Sequence, residues 1–191
     1  MEDATAVFWK SFVKHPRQTG AIVPSSRQLA QAMLARTDLS RARFVIELGP
    51  GTGAFTEAIV AALPPGADFL AIERNPELVA FLRRRLPHTT VICDNAVHLR
   101  RYTATRAVPP AAVFCGLPLS WLASDERNAI LDAVADVLPP GGVFTLFQYI
   151  HAAWTPPGRR VYRELARRFQ RIERRPTWWN LPPAYVMYCF R

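Results

Sequence analysis

Between residues 45 and 63 the chain reads VIELGPGTGAFTEAIVAAL, which sets a carboxylate, Glu47, just ahead of three alternating glycines, Gly49, Gly51 and Gly53. Residues without a side chain let the main chain come close to a ligand. The neighbouring charge narrows what that ligand is. A dinucleotide loop reads G-x-G-x-x-G and cradles a pyrophosphate, which Glu47 would repel; a nucleoside that carries positive charge would instead be held by it. Glu73 stands twenty residues after Gly53, the place for an acid that accepts hydrogen bonds from both ribose hydroxyls, with Arg74 beside it. Further on, "VICDNA" supplies Asp94 and the amides of Asn95 and Ala96 to read an adenine edge.

These residues act together only if folding gathers them. Apolar runs at 43–48, 68–73, 89–93, 111–115 and 142–150 read as strands, and 53–63, 76–86, 124–138 and 157–170 as helices between them. Segments 171–179 and 184–190, joined by "NLPPA", are close enough to pair as a hairpin, leaving one of them antiparallel. Strands alternating with helices, each apolar throughout, predict an α/β fold with a doubly wound, mostly parallel sheet covered on both faces. In that fold the glycine loop, Glu73 and Asp94 lie at the carboxyl ends of three successive strands, where such sheets bind ligands. The cofactor expected there is S-adenosylmethionine, whose sulfonium and ammonium suit Glu47. Helices over 3–14 and 25–36, the latter opened by Ser25 and Ser26, precede the sheet. The expected organisation is N-terminal amphipathic or lid helices over 1–36 and a catalytic domain over 37–191, within one globular unit.

The run E-L-G-P-G-T-G, with Glu73 and Asp94-Asn95, resembles the seven-stranded class I S-adenosylmethionine-dependent methyltransferases, which implies a Rossmann-like sheet. Three flanking segments are similar to those of small soluble-type bacterial phospholipid N-methyltransferases. They are "HPRQTGAIVPSSRQLAQAM" at 15–33, "CGLPL" at 115–119 and "NLPPAYVMY" at 180–188. The resemblance implies methylation of phosphatidylethanolamine through the monomethyl and dimethyl forms to phosphatidylcholine at a membrane surface, with S-adenosylhomocysteine as by-product. Cys115 and Gly116 would then sit beside the transferred methyl.

Charge agrees with an anionic partner. The net charge is +9 and the pI about 10.3, and every cationic residue is arginine except Lys10 and Lys14. Guanidinium forks match phosphate oxygens, so nucleic acid or an anionic lipid surface is indicated. On a helical wheel Phe8, Trp9, Phe12 and Val13 share an arc opposite Lys10 and Lys14, the pattern of a helix lying in a lipid interface; a helix packed over the active site would look the same. In 157–171, Val161, Leu165 and Phe169 recur among six arginines, and core packing explains that stripe equally well. The three cysteines lack metal-ligand spacing, and no metal is expected. With neither an 18-residue apolar run nor a signal-peptide pattern, the expected place is the cytoplasm, peripherally attached to the inner face of the cell membrane.

A sulfonium methyl is already an activated electrophile, so the enzyme has chiefly to align an amine lone pair, which by itself can supply about 7–11 kcal/mol. The amine must first lose a proton, yet no Ser/His/Asp arrangement or close pair of acids marks a base. Tyr149 is the catalytic candidate, whereas His151 beside it reads as ordinary packing. A quaternary ammonium product is attracted to aromatic faces, for which Tyr149, Trp154, Trp178, Trp179 and Tyr185 are available. The main rival is an RNA adenine N-methyltransferase of the ribosomal RNA dimethylase type, which the cofactor loop also resembles. Those enzymes place [Asn/Asp/Ser]-x-Pro-[aromatic] after the fourth strand, where this chain has Gly116-Leu117-Pro118-Leu119. A lipid-surface protein without catalysis is a third reading, against which Glu47, Gly51 and Glu73 all speak.

Overall fold

The computed structural model describes residues 27–191; the expected interfacial helix with Phe8, Trp9, Lys10, Phe12 and Lys14 lies outside them. Seven strands form one sheet: β1 (Phe44–Leu48), β2 (Asp68–Glu73), β3 (Thr90–Cys93), β4 (Ala112–Cys115), β5 (Val143–Tyr149), β6 (Arg171–Thr177) and β7 (Ala184–Phe190). Their order is β3-β2-β1-β4-β5-β7-β6. The first five run parallel, and β7 is antiparallel to both β5 and β6. The expected hairpin therefore forms, with β7 as its antiparallel member. The strand order reverses between β1 and β4, and it is at such a switch point that doubly wound sheets open a ligand crevice.

Among the described residues seven helices accompany the sheet: α1 (Arg27–Leu34), α2 (Ala54–Ala62), α3 (Pro76–Arg85), α4 (Leu99–Thr103), α5 (Ser124–Val137), α6 (Ile150–Ala153) and α7 (Pro156–Ala166). β1 and β4, in the centre of the sheet, are buried at every position, because helices cover both of their faces. On one face Phe44, Ile46 and Leu48 pack with Ile130, Leu131 and Val134 of α5 and Val161 and Leu165 of α7. On the other, Val45 and Phe114 pack with Leu29 and Met33 of α1, Phe55 and Ile59 of α2 and Leu82 of α3. The helix expected at 25–36 thus appears as α1 and belongs to the core. Local signals set the helix starts: Asn75 accepts from the Glu77 N–H (2.9 Å) ahead of Pro76 in α3, and Thr155 accepts from the Gly158 N–H (3.2 Å) at the head of α7.

Two expectations shift. The helix read over 157–170 stops at Ala166, and Val161, Leu165 and Phe169 are all buried in the core, so that stripe is not free for a membrane. The reading left 94–110 without elements, whereas a 3-10 turn (Ala96–His98) and α4 carry the chain from edge strand β3 to β4. A five-residue helix is too short to show a period, although a parallel crossover demands a connection of this kind. No helix among the described residues is long and apolar enough to cross a membrane.

A buried ion pair locks α5 to α7. Arg127 donates to Glu164 through Nε (2.6 Å) and Nη2 (3.0 Å), and its Nη1 donates to the Leu122 carbonyl (2.9 Å). The hydrogen bonds from Arg127 hold the Glu164 carboxyl below its ordinary range against the effect of burial. The pair's contribution is therefore present at neutral pH and lost as acid protonates Glu164. Arg127→Leu leaves a buried charge unpaired and is expected to cost about 3–5 kcal/mol in denaturant unfolding, whereas Arg127→Leu with Glu164→Leu should recover most of that loss.

Candidate active site

At the carboxyl edge the backbone ladder runs one rung past the strands. The Gly49 N–H donates to the Ile72 carbonyl (2.9 Å), Asp94 to Glu73 (3.1 Å) and Gly116 to Leu48 (2.8 Å), so the loops after β1, β3 and β4 start at one level. Gly49, Gly51 and Gly53 have φ of 69°, 59° and 90°, the left-handed region that side chains disfavour. A Cβ on Gly116 would lie 2.5 Å from the Gly49 carbonyl oxygen, and one on Gly49 would lie 2.4 Å from Leu117 Cδ2. Around Gly51 nothing stands within 4 Å of that position, which leaves the outer side of the loop open to a ligand.

Glu47 is wholly buried in the middle of β1, where Thr56 Oγ1 in the first turn of α2 donates to its Oε2 (2.6 Å). Its Oε1 has no partner among the described residues. Burial pushes the Glu47 carboxyl up to about 8, opposed by the Thr56 hydroxyl and helped by the charge of Glu73. A buried polar atom without a partner is costly, so Oε1 is a vacancy for a donor, and an ammonium fits it. Glu73 ties the glycine loop to β2, its Oε2 accepting from the Gly51 N–H (3.1 Å) and its Oε1 from the Asn75 N–H (2.9 Å). Burial raises the Glu73 carboxyl despite these bonds, and each oxygen keeps acceptor capacity for a hydroxyl.

The third anchor is organised from within. Asp94 accepts from Tyr102 Oη (2.5 Å) and the Asn95 N–H (2.7 Å) and pairs with His98 Nδ1 (2.8 Å). Tyr102 first, then His98, pulls its carboxyl down to about 2. The Asn95 amide expected to face an adenine edge is thus committed to Asp94, and Ala96 supplies the remaining amide of that pair. Glu126 at the start of α5 accepts from Asn95 Nδ2 (2.9 Å) and from Arg74 Nη1 (3.3 Å), bracing the loops after β2 and β3. Sequence reading missed Thr56, Tyr102, His98 and Glu126. The spacing of Asp94, His98 and Tyr102 at four-residue intervals is a helical signal that an element placed over 96–103 would have exposed.

Beyond the glycine loop a cleft opens at the ends of β4 and β5, bordered by Gly116, Pro118, Phe147, Gln148, Tyr149 and Val161 among others. Tyr149 is buried edge-on to Phe147 (5.6 Å, 79°) and stacked on His151 (5.7 Å, 8°). Burial raises its phenol, so at neutral pH it keeps its proton and offers a hydroxyl and a ring face rather than a base. Cys115 is equally inert, its buried thiol pushed up to about 12. Of the candidate aromatics Tyr149 lines the cleft, whereas Trp154, Trp178 and Trp179 are exposed, and Arg174 covers the Tyr185 ring at 4.4 Å. Sequence marks these residues as aromatic but carries no sign of which way a loop turns them.

Residues 45–142 match a methyltransferase domain family, and the chain belongs to it. Family and fold together make this an S-adenosylmethionine-dependent methyltransferase. Across 96% of this chain and 94% of the other, it is 29% identical to an ornithine lipid N-methyltransferase from Singulisphaera acidiphila. The O-methyltransferase of tomaymycin synthesis from Streptomyces achromogenes, solved with S-adenosylmethionine, has a TM-score of 0.71 at 16% identity over 100% of this chain and 91% of that one. The N-methyltransferase NodS from Bradyrhizobium japonicum, solved with S-adenosylhomocysteine, has a TM-score of 0.63 at 15% identity over 86% and 84%. These two likenesses establish the fold. The relative that spans the chain is named for ornithine lipid, so the phosphatidylethanolamine expected from the sequence is carried only to the level of class.

The two kinds of glycine are separable by mutation. Gly116→Ala forces two backbones apart and is expected to cost about 1–3 kcal/mol and to weaken S-adenosylhomocysteine binding at least tenfold. Gly51→Ala meets no atom and should cost only about 1–2 kcal/mol of dihedral strain; thermal unfolding and calorimetric titration compare them.

Proposed function

We propose that the chain transfers methyl groups from S-adenosylmethionine to the primary amine of a membrane lipid head group. Phosphatidylethanolamine, taken stepwise to phosphatidylcholine, is the first candidate, and ornithine lipid, named for the relative that spans the chain, is the second. The observation that carries this reading is the similarity over nearly the whole length of both chains, because it includes the segments outside the cofactor half. The site agrees with it. Leu119, where adenine methylases carry a stacking ring, is aliphatic and buried, which disfavours a nucleobase substrate.

In this reading Glu47 Oε1 takes the cofactor's ammonium and Glu73 the ribose hydroxyls. The main chain at Gly49, Gly51 and Gly53 passes close to the nucleoside. Arg74, Asp94, Asn95 and Ala96 frame the adenine side, and Cys115 and Gly116 border the methyl. The bound cofactor supplies a methyl activated by its sulfonium. The chain's own task is to align the amine and keep it neutral. Among the described residues no carboxylate lines the cleft, and a largely apolar lining disfavours an ammonium over an amine. The amine therefore sheds its proton to water on entry, and Tyr149 Oη orients the lone pair. Attachment to the inner face of the cell membrane, with Phe8, Trp9, Phe12, Lys10 and Lys14 at the lipid, belongs to the same proposal.

Two measurements test it. In the free chain Glu47 holds a proton up to about pH 8, and a cationic ligand favours its carboxylate, so cofactor binding near pH 7 should release a proton. Calorimetry in buffers of different ionisation enthalpy reads that release, and Glu47→Gln should abolish it; a release unchanged in the variant would remove Glu47 from this role. For the substrate, purified chain with labelled methyl donor should label phosphatidylethanolamine or ornithine lipid vesicles and leave ribosomal RNA unlabelled. Label in RNA alone would overturn the lipid reading.

A further inference from the structure

Trp121, Trp154, Trp178 and Trp179 are 53%, 62%, 65% and 84% exposed, and they are all the tryptophans among the described residues. Tryptophan is highly buried on average, and Leu181, at 79%, stands exposed with them. Their placement is not scattered. Trp121 follows β4, Trp154 follows β5 and α6, and Trp178, Trp179 and Leu181 lie between β6 and β7. Because β7 is antiparallel to both neighbours, β6 runs with β4 and β5. All five residues therefore lie in segments at the carboxyl edge, Trp121 lining the cleft itself, and among the described residues the loops of the opposite edge carry no exposed large apolar residue. The loop after β6 is tied down, since Asn180 Nδ2 donates to the Pro182 carbonyl (2.7 Å) and the Ile150 N–H to the Pro183 carbonyl (2.9 Å).

Charge complements this rim. A groove bounded by Trp154, Arg159, Tyr162, Arg163 and Arg174 shares Gln148 with the cleft. Arg127, Arg100, Arg106 and Arg168 each pair with a carboxylate; among the described residues Arg159, Arg163 and Arg174 have no such partner. Indole rings favour the head-group level of a bilayer, and guanidinium groups pair with phosphates. A patch with both, on a chain of net charge +9, matches an anionic bilayer on each count. We infer that the carboxyl edge is a bilayer-docking face, with the tryptophans and Leu181 in the head-group layer and Arg159, Arg163 and Arg174 against lipid phosphates. This rests on the lipid reading above, and it adds that the substrate amine enters the cleft without leaving the membrane.

The test uses the full chain and phosphatidylglycerol-rich vesicles. With Trp9→Phe as background every remaining indole belongs to the rim, so brominated lipids should quench its emission on binding; emission unchanged on binding overturns the proposal. Trp178→Ala/Trp179→Ala/Leu181→Ala should lower co-sedimentation about tenfold or more, with S-adenosylhomocysteine affinity and melting unchanged because these side chains are exposed. Arg159→Ala/Arg163→Ala/Arg174→Ala should weaken binding to anionic vesicles severalfold while leaving binding to neutral vesicles unchanged, and an unchanged anionic preference would overturn the arginines' part in docking. Methyl transfer to a short-chain aminolipid below its micelle concentration separates docking from substrate choice. If that lipid is methylated while the apolar variant sediments like the parent, the docking face falls and the lipid reading stands. If the rim docks but no lipid is labelled, the lipid reading falls alone. Rim variants that lose ribosomal RNA but keep vesicles would also overturn docking.

Discussion

The site depends on how closely two backbones meet at the switch of the sheet. β1 pairs with β2 on one side and β4 on the other, so the loops that leave β1 and β4 emerge side by side. The Gly116 N–H bonds to Leu48, and the Gly49 carbonyl occupies the space a side chain at Gly116 would need. Only a chain bare at both places can bring these loops together. The same bareness gives the adjoining Gly51 an open outer face. Scaffold and open loop surface are thus one piece of main chain.

Around that crossing the fold buries two acids that would be more stable in water. Glu47 has a single hydroxyl partner and an oxygen left over, and Glu73 has backbone donors that only partly offset its burial. Both carboxyls are raised because desolvation outweighs the donors, and at Glu47 the charge of Glu73 adds to the rise. In the proposed cofactor site, a cationic ligand with hydroxyls would release the free energy stored in this arrangement. Asp94 is the opposite case: its donors all come from its own segment, so it builds the loop before any ligand arrives.

The arginines divide in the same way between structure and surface. Arg127 and Arg168 are spent on joining α7 to α5, and Arg74 joins β2 to α5 through Glu126. Three that pair with no carboxylate among the described residues, Arg159, Arg163 and Arg174, line the groove beside the cleft, next to the exposed Trp154, whereas Arg41 and Arg43 lie at the opposite edge of the sheet. A high net charge therefore overstates the free basic surface, because part of it is committed to ion pairs within the fold.

The segments that form strands β1 to β5, the glycine loop and the acids at the strand ends were legible in the sequence. Strands buried on both faces leave uninterrupted apolar runs, and a loop needing left-handed dihedrals leaves glycines, so local physics writes itself directly into residue type. Asp94 was legible as a strand-end acid, but its partners were not, since α4 is too short to show a period and Tyr102 is reached only through it. The stripe of Val161, Leu165 and Phe169 announced an apolar face without saying what covers it, and the tertiary structure put it against the sheet. Likewise Trp154, Trp178 and Trp179 could line a pocket or a surface. Periodicity reports that a side chain avoids water, whereas its neighbour is set by where distant segments of chain come to rest, and that was decided only by the folded whole.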